Sequence, residues 1–351
     1  MTRPTLILGG TGYVAGELLR LLAGHPSFEV KAVVSRSQAG QPIEGSFPHL
    51  SGSYPGAVFR DQDAARELLQ SGGPLAVFSA LPHAESAAML TEAIETARAS
   101  GTELALVDLS ADFRHPDADL WAKVYGEPHA APQTISSFTC GLPELTEGLP
   151  RPHIAHPGCF TTATVLGATP LIAMGLALPE VFVSAVTGST GSGRSPSLTT
   201  HHPERQSNLF AYKPLGHRHE PEMSRLIREA SKRDVRVDFV PHSGPFARGI
   251  HATIALRAKG SPSQAELRSA MESFYADSAF IDVIEGTPRL KDVVGSNRCR
   301  LGVQARGDRI VVFSVIDNLI KGAAGGAVQW MNRLCDLEET TGLTQPALGW
   351  L

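Results

Sequence analysis

An apolar run, Thr5–Leu8, leads straight into Gly9-Gly10-Thr11-Gly12-Tyr13-Val14-Ala15-Gly16 and then into a leucine-faced helix, Glu17–Ala23. Few folds accept a strand, a glycine turn and a helix in such short order. Glycines at that junction let the chain reverse tightly and let a pyrophosphate approach the N–H groups of a helix start. The spacing is G-x-x-G-x-x-x-G rather than the usual G-x-G-x-x-G, and a plain tight turn is the competing explanation.

The remainder of the first half extends the pattern. Apolar runs at Val30–Val34, Leu75–Ala80 and Leu104–Leu109 alternate with helical stretches at Asp63–Gln70 and Glu85–Ser100. Such alternation predicts βαβ units and a doubly wound parallel sheet. Beyond about residue 155 the rhythm changes. A long helix, Thr161–Met174, precedes spaced strands at Val181–Thr187, Arg236–Pro241, His251–Ala258, Arg300–Gln304 and Arg309–Ser314. These predict a second, α+β domain with a mixed or mostly antiparallel sheet. The expected division is 1–155 for the α/β domain, completed by the C-terminal helix 318–351, and 156–317 for the second. That final helix, Ala323–Leu334, is rich in small residues and suits close packing.

Composition removes several classes. Lys and Arg number 31 against 35 Asp and Glu, a net −4, so nothing advertises nucleic acid. Apolar runs all fall short of the roughly 18 residues of a membrane span, and the start of the chain shows no signal-peptide pattern. The four cysteines (140, 159, 299, 335) form no C-x-x-C pair, which suits a reducing cytoplasm.

Chemistry concentrates in three places. The second strand ends Val33-Val34-Ser35-Arg36-Ser37, without the carboxylate that holds a ribose 2′-hydroxyl. Arg36 and two hydroxyls suit a 2′-phosphate, hence NADP(H) rather than NAD(H); the alternative is a solvated arginine. His156-Pro157-Gly158-Cys159 stands just before a helix, whose partial positive charge favours a nucleophilic thiolate. Cys140, Cys299 and Cys335 read as small buried apolar residues. Gly216-His217-Arg218-His219 is the best source of a proton handler for the thiol. His201-His202 with these histidines lacks a ligand-spaced Cys or carboxylate cluster, so no metal is expected. Gly188–Ser195 imitates a phosphate-binding loop, but Arg194 replaces its lysine, and no G-x-S-x-G elbow occurs. A dinucleotide domain followed by a thiolate points to hydride exchange with a cysteine-bound acyl group.

The segments GGTGYVAGELLRLL, VDLSADFR (107–114), GLPEL (141–145), HPGCFTTAT (156–164), GHRHEPE (216–222), ARGIHAT (247–253), GSNRC (295–299) and VIDNLIKGAAG (315–325) carry a resemblance over nearly the whole chain. It resembles the N-acetyl-γ-glutamyl-phosphate reductase family and its lysine-pathway relatives, which reduce aminoadipate phosphate carried on the small acidic protein LysW. The resemblance implies Cys159 as acyl acceptor and His217 or His219 as proton donor and base. It implies NADP(H) contacts from Gly9, Thr11, Gly12, Tyr13, Val14, Ser35, Arg36, Ser37 and Asn318, Arg114 as an anion anchor, and a cytoplasmic homo-oligomer. Two positions depart from the family pattern. The usual N-P-G-C-Y is H-P-G-C-F, and Y-G-L-P-E-L is C-G-L-P-E-L.

For the acyl group, the run His201-His202-Pro203-Glu204-Arg205 before Tyr212-Lys213-Pro214 looks more like the LysW branch. Nine Lys/Arg against five Asp/Glu between Arg194 and Arg236 agree in sign with an acidic carrier. The expected reaction is therefore reduction of LysW-linked aminoadipyl phosphate, with N-acetyl-γ-glutamyl phosphate as the alternative substrate. Aspartate-semialdehyde dehydrogenase and a non-catalytic NADP-binding protein are the remaining rivals.

Overall fold

A computed structural model describes residues 2–350. The first part runs β1 (Arg3–Leu8), α1 (Tyr13–Leu22), β2 (Phe28–Val34), α2 (Gln62–Leu69), β3 (Pro74–Ser79), α3 (Ser86–Ala99), β4 (Glu103–Asp108), α4 (Ala118–Tyr125), β5 (Phe138–Cys140) and β6 (His153–Ala155). Then come α5 (Cys159–Ala173), β7 (Glu180–Thr187), β8 (Phe210–Ala211), α6 (Glu220–Ser231), β9 (Arg236–Ser243), β10 (Ile250–Arg257) and α7 (Gln264–Phe274). The chain ends with β11 (Ile281–Val283), β12 (Cys299–Arg306), β13 (Arg309–Ile316), a wide turn at Ile320–Ala324 and α8 (Gly325–Leu334).

Two compact units result. The first holds a six-stranded, all-parallel sheet in the order β2-β1-β3-β4-β6-β5. Its inner strands read as nearly unbroken apolar runs because both faces are covered, while the edge strand β2 carries exposed Glu29 and Lys31. Leu6, Leu8, Val77 and Leu106 pack against Leu90, Ala93 and Ala97 of α3. The order reverses at β1/β3, the kind of switch point at which such sheets bind ligands beyond their carboxyl ends. In α8, Trp330 is fully buried and its Nε1 donates to the Gly141 carbonyl at 3.0 Å.

The second unit holds a seven-stranded mixed sheet, β11-β12-β13-β10-β7-β9-β8. β7–β9 and β11–β12 pair parallel and the other neighbours antiparallel. Burial alternates along β10, where Ile250, Ala252, Ile254 and Leu256 are buried and the residues between them are not. One face therefore carries the core, against α5, α6 and α7. Helix α5 is buried almost all round, so it shows no amphipathic stripe.

Boundaries differ from the sequence reading in two instructive places. Helix α5 begins at Cys159 rather than Thr161, because Thr162 N–H already closes a turn on the Gly158 carbonyl at 2.8 Å. The small-residue helix begins at Gly325, preceded by the wide turn, so residues 318–323 belong with the second unit. Only 324–344 join the first, and the tail from Gln345 joins the second. Leu348 explains the tail: its N–H donates to the Val294 carbonyl at 2.9 Å.

Candidate active site

The second unit gathers the thiol and both histidines. Cys159 is the first residue of α5, and Gly158 caps that helix without a side-chain hydrogen bond. A thiolate there meets the partial positive charge of fifteen aligned peptide units. The turn before it is fixed from α6: Gly158 N–H donates to Glu222 Oε1 at 2.7 Å, and Glu222 is fully buried. His219, three residues earlier, caps the same helix. Its imidazole lies so close to Gly158 that a β-carbon there would collide with Nε2. Only glycine allows this approach, which sets the His219 ring beside the first turn of α5. From the other side Gly322 meets Cys159, where an added β-carbon would come within 2.7 Å of Cys159 Cβ.

The two histidines are not equivalent. His217 Nδ1 accepts the His219 main-chain N–H at 3.1 Å, so its remaining proton is on Nε2. Burial, then the charges of Arg218 and Lys213, lower its pKa to about 4. The His217 ring contacts His219, Tyr212, Phe160 and Phe239 edge-to-face, with centroids 4.7–5.9 Å apart. Burial thus favours the neutral ring near pH 7. Tyr212 shares this pocket, and burial, followed by the neighbouring Cys159, raises its phenol pKa. Phe160 presents only an apolar ring to the imidazoles.

A depressed native pKa fixes the sign of a stability change. His217 binds its proton more readily unfolded, at about 6.5, than folded, at about 4. Its contribution is fully present above pH 6.5 and is lost as pH falls through that window. We expect His217→Asn to remove about 3 kcal/mol of the acid-side slope between pH 6.5 and 4, read from urea midpoints. An unchanged slope would show that His217 is not held neutral.

Other predicted residues have different surroundings. Asn318 is buried: its Oδ1 accepts from Gly249 N–H at 2.7 Å and its Nδ2 donates to Thr190 Oγ1 at 3.0 Å. It ties the glycine-rich turn after β7 to the one before β10. Arg114, in the first unit, donates from Nε to the His156 carbonyl and from Nη2 to the Leu109 carbonyl, both at 2.9 Å. The same motif supplies Asp112, whose carboxylate accepts from Ala84 and Ala87 N–H at the start of α3. Much of VDLSADFR is thus a brace for the chain beyond β4. His201 and His202 are exposed, and among the described residues no three His, Cys, Asp or Glu side chains are placed to hold a metal. Several of the basic residues between Arg194 and Arg236 have partners within the second unit. Arg225 pairs with Glu229, Arg228 with Asp234 and Arg236 with Asp238, while Arg205 bonds main-chain carbonyls.

In the first unit, Gly9 has φ +80° and lies against the Ala80 backbone, so it turns the chain where no side chain fits. Gly12 caps α1 with open space above it and no side-chain hydrogen bond. Its neighbours Thr11, Tyr13 and Val14 are all at least partly accessible. Beyond β2, Ser35 is buried, while Ser37 and Arg36 are at least partly accessible. Arg36 lines an open cleft of about 240 Å³ with Leu8, Val34, Arg66 and Met89, its guanidinium 3.5 Å from Glu85. An uncapped helix start, an apolar floor and a cation beyond β2 fit a dinucleotide phosphorylated at the ribose.

Glu222 and Gly322 lie inside the segments GHRHEPE and VIDNLIKGAAG, where sequence alone assigns them no role. The signal for Glu222 was its spacing, one helical turn after His219.

Comparison with known proteins agrees with this architecture. Residues 5–150 match the family model "Semialdehyde dehydrogenase, NAD binding domain", and residues 159–318 match "Semialdehyde dehydrogenase, dimerisation domain". The N-acetyl-γ-glutamyl-phosphate reductase of Ectopseudomonas mendocina is 43% identical over 349 residues, 97% of this chain and 98% of its own. Those of Pseudomonas aeruginosa and Azotobacter vinelandii are 42% identical with the same coverage. Among solved structures, aspartate semialdehyde dehydrogenase II of Vibrio cholerae matches with TM-score 0.71 at 16% identity, covering 96% of this chain and 99% of that one. The enzyme from Candida albicans, solved with NADP, gives 0.64 at 17%, covering 96% and 99%. These two show the fold. The chain belongs to the N-acetyl-γ-glutamyl-phosphate reductase family, oxidoreductases built from a semialdehyde dehydrogenase NAD-binding domain and a semialdehyde dehydrogenase dimerisation domain.

Proposed function

We propose that the chain reduces N-acetyl-γ-glutamyl phosphate to the semialdehyde with NADPH, through a thioester on Cys159. The observation that carries this reading is the thiol in the first turn of α5 with the His219 imidazole packed on Gly158. His219 takes the thiol proton. The thiolate then attacks the acyl carbon, the carbon–oxygen bond to phosphate breaks, and phosphate leaves with its electron pair. When bound, the cofactor supplies a hydride to the acyl carbon. His219 protonates the resulting oxygen and retrieves that proton as the carbon–sulfur bond breaks and the aldehyde departs. Buried Glu222 holds the turn, and the N–H groups starting α5 favour negative charge on sulfur and oxygen.

Thr11–Val14 would hold the pyrophosphate and Ser35–Ser37 the 2′-phosphate. A charge-assisted bond to phosphate is worth about 1.5–3 kcal/mol. We therefore expect Arg36→Ala to weaken NADPH about 10- to 150-fold in Kd while changing NADH little. Equal losses would place Arg36 elsewhere.

The acetylated substrate ranks above the carrier-linked one because the relatives at 42–43% identity bear its name. LysW-linked aminoadipyl phosphate stays as the second reading because of the His201–Arg205 run. The test is kcat/KM for both across salt. We expect free N-acetyl-γ-glutamyl phosphate to be turned over at least about tenfold better, with little dependence on salt. Faster carrier-linked turnover that falls with salt would reverse the assignment. Self-association through the uncovered sheet face, where Phe182 is exposed, fits the dimerisation model matched by 159–318. Residence in the cytoplasm fits the reducing chemistry of the thiol, and no helix among the described residues is long and apolar enough to cross a membrane.

A further inference from the structure

We propose that the buried Glu144–Lys321 ion pair is a positioning device for Cys159, acting through Gly322. This rests on the reading of Cys159 as nucleophile. Both side chains are almost completely buried, Lys321 at 1% and Glu144 at 2% exposure, and the ammonium bonds Glu144 Oε1 while lying 5.5 Å above the Phe280 ring. A buried pair of this kind adds little net stability over apolar residues of the same volume; its best-attested use is to fix one arrangement among several.

The arrangement at stake is the wide turn Ile320–Ala324. Its register is looser than an α-helix, and such turns recur at functional sites. Asp317 pins one end. Its Oδ1 accepts from Leu319 and Ile320 N–H at 2.8 and 3.2 Å, and its carbonyl accepts from Gly322 N–H at 3.0 Å. Asp317 is itself held by Gly295 N–H and Arg248. Lys321 pins the middle. The next residue is Gly322, whose missing side chain leaves room for Cys159 Cβ and Cα. Rotation of the turn about its axis would carry Gly322 off the cysteine and free the thiol to leave the end of α5. An apolar residue at 321 would fill the same space but would not fix that rotation.

The test uses the full chain. Lys321→Met with Glu144→Leu removes both charges together, leaving neither buried alone. Glu144→Gln keeps volume and an acceptor for the ammonium. In either folded variant we expect kcat to fall about 10- to 100-fold with KM within about twofold, as a small displacement of a reacting group does. The pH midpoint of Cys159 alkylation should rise with it, a shift that simple loss of stability would not produce. Gly322→Ala, with the pair intact, should give the same signature by pressing on Cys159 directly. A folded pair variant with wild-type kcat and alkylation profile overturns the proposal. Unfolding of both pair variants would make the ion pair a stability element and overturn it equally. Cys159→Ser separates the two levels. If that variant stays active, the nucleophile reading has failed; if it is dead while both pair variants match wild type, only the positioning role has failed.

Discussion

Cys159→Ser is expected to lose reductase activity by about 10³-fold or more, while NADPH Kd changes by less than about twofold. A serine hydroxyl at the start of α5 gains the same partial charge as the thiol, but its proton is far harder to remove near neutral pH. The phosphate leaving group then has no covalent acceptor. A loss of 10³ corresponds to about 4 kcal/mol in the barrier, a fair share of what covalent catalysis contributes. All the proposed cofactor residues except Asn318 lie in the glycine turn after β1 and the loop after β2, on the other unit, so binding should survive. Retention of more than a tenth of wild-type kcat would end the thioester account.

The second large effect separates the two histidines. His219→Asn should lower kcat about 10²- to 10⁴-fold, the usual worth of a positioned acid–base group. His217→Asn should cost under about tenfold. The difference comes from geometry. His219 is the imidazole against Gly158, whereas His217 has its Nδ1 occupied and its pKa lowered to about 4 by burial and two nearby cations. The opposite order of effects would make His217 the proton carrier and reduce His219 to a helix cap.

The features legible in sequence were those written into local pattern. Nearly unbroken apolar runs gave the parallel strands, because a sheet covered on both faces needs no alternation. The glycine turn was readable because its backbone requirement is local, with Gly9 at φ +80°. The invisible features were non-local. The three-residue strands β5 and β6 are too short to show a period. The start of α5 was misplaced by two residues because Gly158 is held by Glu222, 64 positions away. The split between His217 and His219 depends on which ring faces Gly158, and residues two apart in a loop do not reveal that. Pairing was invisible for the same reason: a charge count does not say that Arg225 and Glu229 meet one turn apart on α6.

The central claim is a covalent acyl group on one sulfur, and mass spectrometry of the enzyme during the half-reaction tests it most directly. With N-acetyl-γ-glutamyl phosphate and no NADPH, one phosphate should be released per active site. The peptide containing Cys159 should gain the mass of the N-acetylglutamyl group, labile to hydroxylamine, and lose it as semialdehyde when NADPH is added. Steady turnover with no adduct on Cys159, or an adduct on any other residue, would contradict the account.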